Sequence, residues 1–153
     1  MNANFEAAAH LLRRGAPLSL SSAVCLGQFD ETARLAASAD DREKQFALVL
    51  CALNGKPESL RRMIGFGADV NRRSKNLHSH ATPLHHAVGS GNLEAVKVLL
   101  EAGAKLDVKD TAWNGTPLDW ANHYVREAKD EDLGKPYRQI ADYLAADKAK
   151  RHE

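Results

Sequence analysis

With 153 residues, 27% of them charged and 44% hydrophobic, and a formal net charge of +1, the chain has the composition of one soluble globular domain. The near-neutral balance argues against a general nucleic-acid binder, and no apolar run approaches the ~20 residues that span a bilayer. The opening MNANFEAAAHLLRRGAPLS lacks a basic stretch followed by an apolar core, so it reads as a piece of fold and not as a secretion signal.

Taken in order, Asn4 to Ala16 (NFEAAAHLLRRGA) aligns with Asn92 to Ala104 (NLEAVKVLLEAGA). Phe5, Ala8, Leu11 and Leu12 reproduce the helical stripe of Leu93, Val96, Leu99 and Leu100, so the chain is expected to open on half a two-helix unit that caps a stack. Ser19 to Ser38 is a compressed two-helix unit: Ser21 or Ser22 is expected to cap its first helix, Gly27 to turn the chain, and Phe29, Ala33, Leu35 and Ala36 to form a weaker stripe. The charged run Ala39 to Lys44 reads as a solvated linker. From Gln45 to Val70 the pattern sharpens. FALVLCALNG aligns with TPLHHAVGSG at Thr82 to Gly91, Pro57 opens a second helix, and Leu60, Met63 and Ile64 are its core face. Cys25 and Cys51 sit in apolar contexts with no CxxC pair. They read as buried, reduced thiols serving as small hydrophobes, with a disulfide between stacked helices as the minor alternative. A cytoplasmic location is expected from this usage.

Thr82 to Gly103 spells out a whole unit. Thr82 is an N-cap, Pro83 the first helical residue, and Leu84, Ala87 and Val88 one apolar stripe. Gly91 ends that helix, Asn92 caps the next, and Gly103 closes it. Helices this short are marginal alone, so the units must stack. A second opening, Thr116-Pro117-Leu118-Asp119-Trp120-Ala121, begins 34 positions after Thr82. Its first helix is expected to run on through Tyr124 and Val125. Asp130-Glu131-Asp132, Gly134 and Pro136 then read as a break, and Tyr137 to Leu144 as a last, capping helix with Ile140, Tyr143 and Leu144 inward. Residues 145–153 read as a polar tail that frays.

The TPLH opening, the small Ala87, the Gly91 turn, the Leu-rich second helix, the GADVN ending at Gly67 to Asn71 and the period near 33 resemble the ankyrin-repeat family. A tetratricopeptide array has a similar period but does not account for the TPLH openings or the Gly-Ala-Asp endings. The resemblance implies an all-α solenoid of stacked helix–turn–helix pairs with short β-hairpin or loop fingers. It implies one domain over 1–147, with a half-repeat at 1–16, units near 19–38, 45–71, 82–107 and 116–147, and a tail at 148–153. It also implies a non-catalytic adaptor or regulator that binds another protein through its finger tips and first helices. Carried over residue by residue, this points to Arg72, Arg73, Asn76, His78, His80, Thr111, Trp113 and Asn114 on the fingers, and to Asn54, Ser90, Trp120 and His123 on the helices. Trp113 fits no core stripe, and Trp and Arg are enriched in interface hot spots; packing across its own hairpin is the competing role. The basic finger suggests a partner with an acidic patch. No nucleic acid or membrane partner is expected, and the chain is expected to be a monomer.

Catalytic signatures are absent. There is no GxSxG elbow, P-loop, GxGxxG or HExxH, so neither an enzyme nor a cofactor is expected. The nearby His78, His80, His85 and His86 could in principle supply zinc ligands. His85 is already the last letter of TPLH, which ankyrin repeats use for hydrogen bonds within the stack, and polar residues are ordinary on a finger. A metal-responsive regulator using the histidine finger, and an accessory protein acting through residues 122–136, are the alternatives.

Overall fold

The computed structural model describes residues 9–10, 13–75 and 77–151. The half-repeat expected at the start rests on Phe5, Ala8, Leu11 and Leu12, which lie outside the described residues. From Leu20 onward there are four helix pairs: α1 (Leu20–Cys25) with α2 (Phe29–Ala36), α3 (Asp41–Leu53) with α4 (Pro57–Gly65), α5 (Pro83–Gly89) with α6 (Leu93–Glu101), and α7 (Pro117–Glu127) with α8 (Glu131–Arg151). The first helices α1, α3, α5 and α7 pack in one row, and α4, α6 and α8 form the outer row behind them. The period near 33 thus becomes a translation, each pair burying the face its neighbour exposes.

Local chemistry sets most boundaries as the sequence implies. Pro57, Pro83 and Pro117 each begin a helix. Asn92 Oδ1 accepts the Ala95 N–H at 3.0 Å, capping α6, while its amide donates to the Gly55 carbonyl at 3.2 Å. Gly55 carries both demands of a repeat turn. Its φ is +56°, and a Cβ there would lie 2.8 Å from Asn92 Cβ and 2.9 Å from Ser90 Oγ of the next repeat. Only glycine meets the left-handed conformation and the close approach together.

Four boundaries differ from the sequence reading. Ser19, not Ser21 or Ser22, caps α1, accepting the Ser22 N–H at 3.2 Å. The charged run is not a linker but the opening of α3, where Asp40 and Glu43 form a reciprocal capping box at 2.8 and 3.0 Å. After α7 the chain breaks only at 128–130, and α8 starts at Glu131, with Asp130 Oδ1 accepting the Leu133 N–H at 2.8 Å. Pro136 is tolerated because it lies early in α8, where it removes one intrahelical bond. The expected tail is helical through Arg151, which pairs with Asp147 at 2.7 Å and donates to the Ala104 carbonyl. The segment 122–136 builds the end of the stack: Tyr124 of α7 stacks on Tyr137 of α8 with centroids 4.7 Å apart.

Leu48, Leu60, Met63, Leu84, Leu99, Ile140 and Leu144 form one continuous core, each worth about 1.5–3 kcal/mol of burial. Side chains also tie repeat to repeat. Ser59 donates to the Val24 carbonyl at 2.8 Å. The Gln45 amide bonds Asp69 and Arg72, and Asn71 bonds the Gly103 carbonyl at 3.1 Å and the Lys105 N–H at 2.8 Å. The two cysteines are buried and unbridged, with Sγ atoms 3.7 Å apart between α1 and α3. Among the described residues no strand forms, and the last finger is a turn closed by the Asp110 N–H on the Gly115 carbonyl at 2.9 Å together with side-chain bonds.

Candidate functional site

The site is built where the last two fingers meet the first helices. Asp110, 2% exposed, organises the final finger. Its Oδ1 accepts the backbone N–H groups of Ala112 at 2.8 Å and Trp113 at 2.6 Å; its Oδ2 accepts those of Gly115 at 2.9 Å and the Trp120 indole at 3.0 Å. Burial works against the charge, but these four donors outweigh it and hold the carboxyl at a pKa of about 2. One carboxylate therefore shapes the finger and sets the angle of Trp120.

His85 staples this finger to the repeat before it. One ring nitrogen lies 2.8 Å from the Thr82 hydroxyl and 3.3 Å from the Thr82 N–H, and the other lies 3.0 Å from the Gly115 carbonyl. The arrangement makes Nδ1 the acceptor and Nε2 the donor. Desolvation lowers the pKa of His85, so the neutral tautomer persists. This is the hydrogen-bonding role expected of TPLH. The Thr111 N–H donates to the His80 carbonyl at 2.9 Å, joining one finger to the next.

Between these struts lies a cleft of 520 Å³, lined by Leu53, His78, His80, His86, Trp113, Gly115, Asp119, Trp120, His123 and Tyr124. Its walls are aromatic. The Trp113 and Trp120 centroids are 5.8 Å apart at 66°, Trp120 and Tyr124 are 6.5 Å apart at 73°, and His80 meets Trp113 edge to face at 5.2 Å. Trp113 is 72% exposed, so it does not spend its surface on packing across the hairpin. His78 and Asn114 have φ of +44° and +57°, and among the described residues they are the two non-glycine residues in the left-handed region. Both belong to the fingers that rim the cleft.

Of the expected residues, the fold brings together His78, His80, Trp113, Trp120 and His123. Thr111 and Asn114 stand exposed on the same finger as Trp113. Ser90 lies instead in a separate hollow with Tyr137 and Leu133, its hydroxyl donating to the Ala87 carbonyl at 2.6 Å. Arg72 is exposed and donates to the Asp41 carbonyl, whereas Arg73 is half-buried and braces the Lys109 carbonyl at 2.8 Å. Asn54 lies at the end of α3, where its amide donates to the Leu50 carbonyl at 2.7 Å. Asn76 lies outside the described residues.

Sequence reasoning did not assign His86, Asp119 and Tyr124 to the cleft, or Asp110 to its scaffold. The signal for Tyr124 was available: it lies one helical turn beyond Trp120 on the same face. His86 is 3% exposed, and desolvation with the nearby His78 lowers its pKa to about 4. Among the described residues no three His, Cys, Asp or Glu side chains are placed to share a metal ion, and no helix is long and apolar enough to cross a membrane.

Comparison with known proteins agrees with this architecture. The family model described as ankyrin repeats (3 copies) matches residues 4–110 and 48–127. The ADP-ribosylation factor GTPase-activating protein AGD2 of Arabidopsis thaliana is 44% identical over 57 residues, 37% of this chain and 7% of that protein. The human palmitoyltransferase ZDHHC13 is 43% identical over 65 residues, 42% of this chain and 10% of that protein. Human cyclin-dependent kinase inhibitor 2A is 42% identical over 64 residues, 42% of this chain and 33% of that protein. The matches thus span from 7% to 33% of these relatives' own length. The chain belongs to the ankyrin-repeat family.

Proposed function

We propose that the chain is a non-catalytic recognition module that holds a segment of a partner protein in the cleft between its last two fingers and α3, α5 and α7. The observation that carries this reading is Trp113. A tryptophan left 72% exposed beside a 520 Å³ aromatic cleft is an unspent apolar surface, and such anchors dominate interface energetics. Ankyrin repeats are generally protein-interaction modules, and the backbone strain at His78 and Asn114 falls on the same rim. The cleft lies at the end of the array, so Arg72 and Arg73 take a lesser part. Arg73 already braces a neighbouring finger, and the salt dependence of binding reads any contribution from an acidic partner surface. We place the module in the cytoplasm as a monomer, in keeping with its two unbridged cysteines.

The test is quantitative affinity capture from lysate of the source cells. Wild-type bait is compared with a Trp113→Ala, His78→Ala variant matched for helicity and melting temperature. The expected result is a protein retained by wild type and lost by the variant. Equal capture by both baits refutes the placement of the site.

A further inference from the structure

Three features of the cleft converge on one ligand chemistry. The first is His86. Its Nε2 is buried and has no hydrogen-bond partner, while the backbone of His78 engages the ring in a bond that favours protonation, as a carbonyl acceptor does. The imidazole therefore spends its N–H on a carbonyl and leaves a lone pair unmatched, and a buried acceptor without a donor is costly. The second is the pair of π faces. The Trp120 indole N–H is committed to the Asp110 carboxylate at 3.0 Å. Its edge is thus engaged, and its ring, made electron-rich by that anion, lines the cleft nearly perpendicular to Trp113 and Tyr124. The third is Asp119 on the cleft wall. The Thr116 N–H and hydroxyl hold its carboxyl below the usual range, and both bonds fall on Oδ2, leaving Oδ1 for another donor.

We propose that the cleft takes an arginine side chain of the partner segment. The planar guanidinium stacks on indole faces and donates N–H groups in a fixed fork. It can therefore stack on one indole face and meet the other edge-on, with its N–H groups directed to His86 Nε2 and to the Asp119 carboxylate. A quaternary ammonium satisfies the π faces but brings no donor for His86. A lysine brings donors but no plane to stack. Lys109 and Lys148 also act on Asp119, so charge and stacking have to be separated by experiment. This inference rests on the cleft being the recognition face.

The test uses the full chain and four blocked pentapeptides, acetyl-Gly-Gly-X-Gly-Gly-amide, with X as arginine, citrulline, lysine or trimethyllysine. Binding is read by tryptophan fluorescence and by amide and indole chemical shifts. The arginine peptide is expected to saturate in the millimolar range, shifting the Trp113 and Trp120 indoles, with the neutral isostere citrulline about tenfold weaker and lysine and trimethyllysine weaker than arginine. Trp113→Ala, an exposed position whose loss leaves the fold intact, is expected to weaken the arginine peptide about tenfold, and Trp113→Phe to restore part of it. Equal binding of arginine and citrulline overturns the proposal, as does tighter binding of trimethyllysine or no shift at about 10 mM peptide. A partner captured in a Trp113-dependent way without arginine binding refutes this inference alone. Absence of any Trp113-dependent partner refutes the broader reading, whatever the peptides do.

Discussion

Asp110→Asn tests the scaffold of the site directly. The native carboxylate receives four N–H donors, two on each oxygen. Asparagine keeps the shape but replaces one oxygen with an NH₂ group, so two donors must face a donor whichever way the amide turns. The cheaper orientation puts the NH₂ toward Ala112 and Trp113, which are exposed and can bond water instead. Bonds to a charged acceptor are worth ~1.5–3 kcal/mol each; water replaces part of the two that are lost while the two survivors weaken without the charge, so the expected loss is about 2–4 kcal/mol. Urea unfolding followed by far-ultraviolet circular dichroism gives that number from the midpoint and slope, and tryptophan fluorescence reports the freed Trp120 indole. The pH dependence has a definite sign. The folded carboxyl is depressed from 3.8 to about 2, so its stabilisation is complete above the unfolded value and is lost as pH falls through that window. Wild type and variant should therefore converge in stability toward pH 2. A difference below about 0.5 kcal/mol at pH 7, or one that does not shrink in acid, refutes the assigned role.

Gly55→Ala meets both a left-handed backbone and atoms of Ser90 and Asn92 within 3 Å; the expected loss exceeds the ~1–2 kcal/mol of the conformation alone, and an unchanged melting temperature counts against the close approach. His86 is held neutral at about 4 against an ordinary 6.5, so the unfolded chain binds a proton that the folded one refuses. Stability should fall as pH drops from 6.5 toward 4, by up to roughly 3 kcal/mol, and His86→Phe should flatten that slope; an equal slope in the variant assigns the titration elsewhere. Cys51 is fully buried and shares a hydrogen bond with Cys25, and that contact together with desolvation raises its pKa well above the ordinary value. An aromatic disulfide reagent should therefore label it only at the rate of unfolding, and rapid native labelling shows the α1–α3 seam to be open.

The parts of the fold visible in the sequence are those decided within one repeat. Thr82-Pro83 and Thr116-Pro117 fix helix starts, the glycines fix turns, and the stripes around Leu84, Leu60 and Leu99 fix the buried faces. Misreadings arose where charged residues have two uses. Asp40 and Glu43 look like linker residues in composition, but their spacing is that of a capping box. Asp147 and Arg151 look like a fraying tail, yet their i,i+4 pairing and the Ala104 carbonyl extend α8. At the site, Trp113 was visible because it fits no core stripe, and Trp120 because it stands on a first helix one period after His86. His86 was not placed there because its neighbour His85 explains the motif. Asp110 was not assigned because nothing local marks a carboxylate that will gather four donors from a turn and a helix.

The position of the cleft follows from how the array ends. His85 can staple its repeat because another finger follows, and the Gly115 carbonyl of that finger accepts its N–H. One period later the equivalent residue is Asp119, followed not by another finger but by α8. A histidine there would have no carbonyl to reach, and Asp119 turns back to cap α7 through Thr116 at 2.7–2.8 Å. The next position changes with it. His86 is buried under the last finger, whereas Trp120, in the same register, has no finger above it and is only half-buried. The aromatic surface that the stack would otherwise cover is thus left facing outward, fixed by Asp110 and backed by Tyr124 on Tyr137. A residue chosen only for stability at this place would be small or polar. A tryptophan held at a set angle beside an exposed tryptophan costs solubility, and the proposed binding role would give this geometry a use.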